Sequence, residues 1–89
     1  MVNSTIRKAI EIYGKDMQLT VAVEELSELI KEICKHKRGN DNLAGLTEEM
    51  ADCCIILYEL QYIFSITDEK LTTVIKTKLD RLENRLRGL

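Results

Sequence analysis

The chain has 89 residues, a formal net charge of -2 and a sequence pI near 5.4, so it is one small domain spanning residues 1–89, without the broad basic field that general binding to a nucleic-acid backbone requires. The absence of Pro and Trp, with a single Phe beside abundant Leu, Ile, Glu and Lys, favours an all-α fold over a sandwich or barrel. A domain of this size buries only about two-thirds of the surface its unfolded chain exposes, so part of its stability is expected from self-association.

The first predicted helix runs from Ser4 to Tyr13, with Ile6, Ala9, Ile10 and Tyr13 at helical spacing, Asn3 or Ser4 as cap and Gly14 as a break. The second runs from Met17 to His36. Its Leu19, Ala22, Val23, Leu26, Leu29, Ile30 and Ile33 form one apolar stripe, and Glu25, Glu28 and Glu32 fall together on one flank of it at about 100° per residue. A basic last turn, Lys35-His36-Lys37-Arg38, suits the helix dipole, and Gly39 stops the helix before the polar loop Asn40-Asp41-Asn42. An antiparallel helix pair follows from so short a connection.

The third helix is expected from Leu43 to Ser65, with Thr47 as an alternative later cap because Gly45 is a poor helix former. Met50, Cys53, Cys54, Ile56, Leu57, Leu60, Ile63 and Phe64 cover well over half of its circumference, which marks it as the central, most buried helix. A turn is expected over Ser65 to Thr67, with Thr67 capping a last helix that continues to Arg87 and Ile66 stapling onto Leu71. Ile75, Leu79, Leu82, Leu86 and Leu89 alternate four and three apart, a coiled-coil-like seam that requires partner helices. The expected architecture is a four-helix-bundle-like domain that assembles as a dimer or tetramer.

Cys34, Cys53 and Cys54 lack Cys-x-x-Cys spacing, and Cys53 and Cys54 lie among apolar neighbours, which reads as buried small hydrophobes in a reducing compartment with no disulfide framework. No signal-peptide core opens the chain, and the most apolar run, Met50 to Ile66, is interrupted by Asp52, Glu59 and Gln61. That run is too charged to span a bilayer, and the protein is expected to be soluble and cytoplasmic, with no membrane partner.

The chemistry is concentrated in two acidic clusters, Glu24-Glu25-Leu26-Ser27-Glu28 and Glu49-Met50-Ala51-Asp52. Carboxylates three residues apart on a helix lie on neighbouring turns, so Glu25 and Glu28 facing Glu49 and Asp52 would form a four-carboxylate cage. Glu49 and Asp52 project on the side of Ile56 and Ile63, where an unpaired carboxylate is costly or protonated. Two kinds of partner would neutralise them: the basic residues Lys78, Arg81 and Arg85 of the last helix in a structural salt-bridge network, or divalent cations. The first makes the protein a non-catalytic oligomeric adaptor. The second, with oxygen donors alone and no Glu-x-x-His pair for iron, points to Mg²⁺, with Mn²⁺ as the alternative.

Gln18 to Leu29, carrying Glu24-Glu25-Leu26-Ser27-Glu28, followed about twenty residues later by Glu48-Glu49-Met50-Ala51-Asp52, resembles the E-E-x-x-E and E-x-x-D motif pair of the MazG-type nucleoside triphosphate pyrophosphohydrolases, members of the all-α NTP pyrophosphatase superfamily. The similarity extends over Gln18 to Arg85. It implies a helical homo-oligomer that uses Mg²⁺ to cut a nucleoside triphosphate into monophosphate and pyrophosphate, with Glu25, Glu28, Glu49 and Asp52 as metal ligands. It further implies that Lys78 and Arg81, with Arg85, hold the phosphates, and Glu24 or Glu25 is expected to orient or deprotonate the attacking water. With four helices to a chain, residues of two chains are expected to complete each site.

Beyond the phosphates the residues are less directive. Tyr13 and Phe64 are expected in the core rather than against a base. Lys31 and Lys35 read as solvated partners of Glu28 and Glu32, and His36 as a dipole-compatible helix end. No base preference follows.

Overall fold

A computed structural model describes residues 3–89 as four helices: α1 Ser4–Tyr13, α2 Lys15–Lys37, α3 Leu43–Phe64 and α4 Asp68–Arg87. No strand occurs among the described residues, and the all-α expectation holds.

Each boundary has a local cause. Asn3 Oδ1 accepts from the Ile6 N–H at 2.9 Å and caps α1. Gly14 ends it at φ 89°, its N–H bonded to the Ile10 carbonyl at 2.9 Å, a backbone state that a side chain disfavours. One residue suffices for the break, so α2 begins at Lys15, two positions before the expected Met17. At its other end Gly39 adopts φ 95° and bonds the His36 carbonyl, as its glycine predicts.

The α2–α3 connection is held by amides rather than by a helix cap. Asn42 stands at the N-cap of α3 without a side-chain capping bond, and its Nδ2 donates instead to the Glu32 carbonyl at 2.8 Å. Helix α3 therefore starts at Leu43, and Thr47, the alternative cap, lies within it and bonds back to the Leu43 carbonyl. The Glu32 carboxylate lies against this first turn at Gly45, so close that a Cβ there would require it to swing aside.

Helices α1, α2 and α3 pack together, with α2 against α3 the most extensive pairing. Ile6 and Ile10 of α1 meet Ile63 of α3, with Leu19 of α2 packed against them. Cys53, Ile56 and Ala22 continue the interior between α2 and α3. Arg7 lies over the Tyr62 ring at 5.7 Å and adds a cation–π contact between α1 and α3.

Helix α4 departs from this unit. The chain bends by 117° between α3 and α4, through Ser65 in the left-handed region at φ 55°. Gln61 Nε2 donates to Asp68 Oδ1 at 2.8 Å and to the Ile66 carbonyl at 3.3 Å, and Thr67 caps α4 through the Lys70 N–H. Beyond this junction α4 packs extensively against none of the other helices and contains no buried residue. The radius of gyration is 16.0 Å, against about 12 Å for a compact chain of this length.

A protruding helix leaves the apolar surface uncovered, which corrects several expectations. Tyr13 and Phe64 are exposed rather than in the core. Of the three cysteines only Cys53 is buried; Cys34 and Cys54 are exposed. Helix α3 does contribute the most buried positions, yet its Met50 and Leu57 face outward, because α1 and α2 cover only one side of it. The α4 seam of Ile75, Leu79, Leu82 and Leu86 is likewise exposed.

Candidate metal centre

The antiparallel α2–α3 pair brings the two acidic motifs to the same level. Among the described residues, Glu25 of α2 and Glu49 and Asp52 of α3 place carboxylate oxygens within 4.8 Å of one another. Glu25 and Glu49 are half-buried and Asp52 is exposed. Directly behind them Cys53 Sγ donates to the Glu25 main-chain carbonyl at 3.6 Å, a contact between helices that a small side chain permits.

The electrostatics are those of a site lacking a positive partner. Burial pushes the Glu25 carboxyl above the usual glutamate range, and the adjacent Asp52 and Glu28 carboxylates push it further. Burial does the same to Glu49, followed by Glu28, Asp52 and Glu25. Glu25 Oε2 and Glu49 Oε2 are each buried without a hydrogen-bond partner. Orphaned acceptors of this kind are uncommon in folded proteins and call for a further donor or a cation. Cys53 is also raised, first by burial and then by the carboxylates, which keeps a protonated thiol there and leaves oxygen as the donor type.

Glu28 completes the expected quartet in a different way. It is exposed, and its carboxyl lies in hydrogen-bonding reach of Glu49, so the four acids face each other as Glu25 with Asp52 and Glu28 with Glu49. Glu24 is exposed and outside the group of three. The donor set fits a hard cation. Mg²⁺ takes oxygen ligands at about 2.0–2.1 Å, so oxygens up to 4.8 Å apart would have to draw together to share one ion.

Hollows open on both sides of the cluster. One, of about 220 Å³, is lined by Glu28, Lys31, Glu32, Lys35 and Glu49; there Lys35 pairs with Glu32 at 3.2 Å, as their spacing predicts. The other, of about 180 Å³, continues from Glu25 and Asp52 towards Gln18 and Glu59, with Val21 and Ile55 on its walls. Gln18 and Glu59 are both buried, and sequence reasoning did not single them out. The available signal was periodic: Glu59 lies seven residues after Asp52 and Gln18 seven before Glu25, two turns along the faces that carry the acids.

Lys78, Arg81 and Arg85 share one side of α4 with Asn84, around a hollow of about 600 Å³. None of them forms an ion pair with the acidic cluster among the described residues. Along α4 itself, Lys76 pairs with Asp80 at 3.9 Å and Arg87 with Glu83 at 2.8 Å.

No single described helix is long and apolar enough to cross a membrane. Comparison with protein-family models, with curated proteins and with solved structures found no match to this chain.

Proposed function

We propose that the protein is a Mg²⁺-dependent nucleoside triphosphate pyrophosphohydrolase of the MazG type, acting as a homo-oligomer and producing a nucleoside monophosphate and pyrophosphate. The observation that carries this reading is the convergence of Glu25, Glu49 and Asp52 with two buried carboxylate oxygens left without partners. Uncompensated acids at a helix interface weaken the fold, and a divalent cation turns that liability into a binding site. Mn²⁺ suits the same oxygen donors.

When bound, Mg²⁺ supplies charge neutralisation and Lewis-acid polarisation to a triphosphate whose own charge repels an attacking water. The protein side chains divide the remaining work. Glu25, Glu28, Glu49 and Asp52 hold the cation, and their acidity fixes where the phosphates lie. The second oxygen of Glu25, or the exposed carboxylate of Glu24, accepts the proton of the attacking water. Lys78, Arg81 and Arg85 stabilise the departing pyrophosphate through charge-assisted hydrogen bonds.

Those three basic residues sit on the helix that packs extensively against none of the other described helices. A second copy that buries the exposed apolar seam of α4 against the exposed faces of α2 and α3 would bring basic residues to a neighbour's acidic cluster. The reading thus assigns each site to two chains, in a dimer or tetramer. Release of pyrophosphate from a panel of triphosphates tests it: activity that needs Mg²⁺ and disappears in Glu25→Gln and Asp52→Asn is expected, and wild-type rates in either variant would refute it.

A further inference from the structure

The hollow beside the cluster has two polar walls that the phosphate chemistry leaves unused. Glu59 is 6% and Gln18 7% exposed, and neither side chain has a hydrogen-bond or ion-pair partner among the described residues. Burial alone raises the Glu59 carboxyl, with no neighbouring charge contributing. Both residues are buried as a whole while their polar atoms open onto one hollow, where they are free to meet a ligand. They line the space that begins at Glu25 and Asp52.

The position suits a nucleoside. Because α2 and α3 run antiparallel, stepping back seven residues from Glu25 and forward seven from Asp52 moves the same way, by about 10.5 Å along the helices. A nucleotide gripped through its phosphates at the cluster extends its base over a comparable span. Val21 and Ile55 flank the path with apolar surface suited to a ring. On the opposite side of the cluster the hollow is lined by Glu28, Lys31, Glu32, Lys35 and Glu49 alone, and offers no apolar side chain to a ring.

We propose that the hollow between Gln18 and Glu59 receives the nucleobase, and that these two side chains select bases bearing an exocyclic amino group (adenine, cytosine and guanine) over uracil and thymine. The proposal rests on the pyrophosphohydrolase reading. An amino group offers two hydrogens, one to a Glu59 oxygen and one to Gln18 Oε1, and the Gln18 amide nitrogen remains free to donate to a ring acceptor. Uracil and thymine place a carbonyl oxygen where that amino group would lie. It has no hydrogen to give, and an acceptor meeting the Glu59 carboxylate leaves both desolvated and unpaired, the situation in which binding sites discriminate most strongly.

The test uses the full chain with Mg²⁺ and the triphosphates dATP, dCTP, dGTP, dUTP and dTTP, reading pyrophosphate release. At least one amino-bearing substrate is expected to exceed both dUTP and dTTP by about tenfold or more in kcat/KM. Glu59→Gln, which adds a donor at that position, is expected to reduce the ratio to about threefold or less, and Gln18→Leu to lower the best substrate by about fivefold or more. Equal or better hydrolysis of dUTP or dTTP by the wild type, or an unchanged ratio in Glu59→Gln, overturns the proposal.

A second measurement separates it from the enzymatic reading. Without metal, dAMP, dCMP or dGMP at millimolar concentration is expected to raise the melting temperature more than dUMP and dTMP do, and Glu59→Gln to erase the difference. If no triphosphate is cut at all, the pyrophosphohydrolase reading fails while this ordering still decides the pocket. Equal shifts, or none, with all five monophosphates overturn it. Should Glu59→Gln lack helical circular dichroism, the same comparison in Gln18→Leu decides: loss of the ordering supports the proposal, and its persistence overturns it.

Discussion

Glu25 on α2 and Asp52 on α3 face each other across the helix pair, with carboxylate oxygens no more than 4.8 Å apart, and the charge of Asp52 helps hold the Glu25 carboxyl above its ordinary range. Two acids so placed oppose the packing that brings them together. Ala22, Cys53 and Ile56, buried around them, supply the apolar contact that keeps α2 on α3 despite this repulsion.

Stability without metal should therefore fall as pH rises. Glu25 and Glu49 both titrate above the ordinary glutamate value of 4.5 when folded, so the folded state binds more protons than the unfolded chain. Their contribution is fully present below that value and is lost as pH climbs through the raised folded values. In EDTA, the melting temperature should drop across this window. Millimolar Mg²⁺ or Mn²⁺ at neutral pH should restore it, by about 5 °C or more if the cation exceeds its dissociation constant a hundredfold. A melting temperature unmoved by either cation would instead favour the adaptor reading.

Removing one charge should separate stability from function. Glu25→Gln keeps the shape and ends the repulsion with Asp52, so in EDTA the variant should melt about 3 °C or more above the wild type. With Mg²⁺ present the order should reverse, because the variant no longer responds to the cation. A variant that is less stable than the wild type in EDTA would show that the carboxylate is already compensated within the protein.

Ile56 lies at 3% exposure beneath the acidic cluster. Truncation by Ile56→Ala should cost about 2–4 kcal/mol, a fall of roughly 10 °C or more in a domain this small, whereas Ile56→Val should cost about 1 kcal/mol. Thermal melts monitored by circular dichroism measure both. Similar melting temperatures for Ile56→Ala and the wild type would place the interior elsewhere.

The helices were legible because their punctuation is local. Gly14, Gly39 and Thr67 act on adjacent backbone, and all three end or begin helices where the sequence indicates. The convergence of the acids was legible from periodicity, since Asp52 shares a face with Ile56 and Ile63. That same face includes Glu59, whose burial was missed because its charge was read as an interruption of an apolar run and not as a member of the inward side. Tyr13, Phe64 and Cys54 failed for another reason. Apolar character states that a residue seeks cover, and in a lone chain whose fourth helix projects away there is no neighbour to provide it.

What covers those surfaces bears directly on the proposed site, because the phosphate-binding role proposed above falls to Lys78 and Arg81 on the projecting helix. If α4 serves a neighbouring chain, its defects can be complemented. Glu25→Gln chains and Lys78→Ala/Arg81→Ala chains should each be nearly inactive alone. Refolded together at equal concentration, half of the resulting dimers pair one of each, and such a dimer holds one intact site assembled from the acids of one chain and the bases of the other. About a quarter of the wild-type rate should return. Leu82→Lys, which places a charge in the α4 seam where Leu82 is 42% exposed, should convert the oligomer to monomers in sedimentation and abolish that recovery. Recovery absent from mixed oligomers, or full activity in a monomeric Leu82→Lys, would mean that α4 serves its own chain, and that its basic residues reach the acidic cluster by swinging about the junction at Ser65.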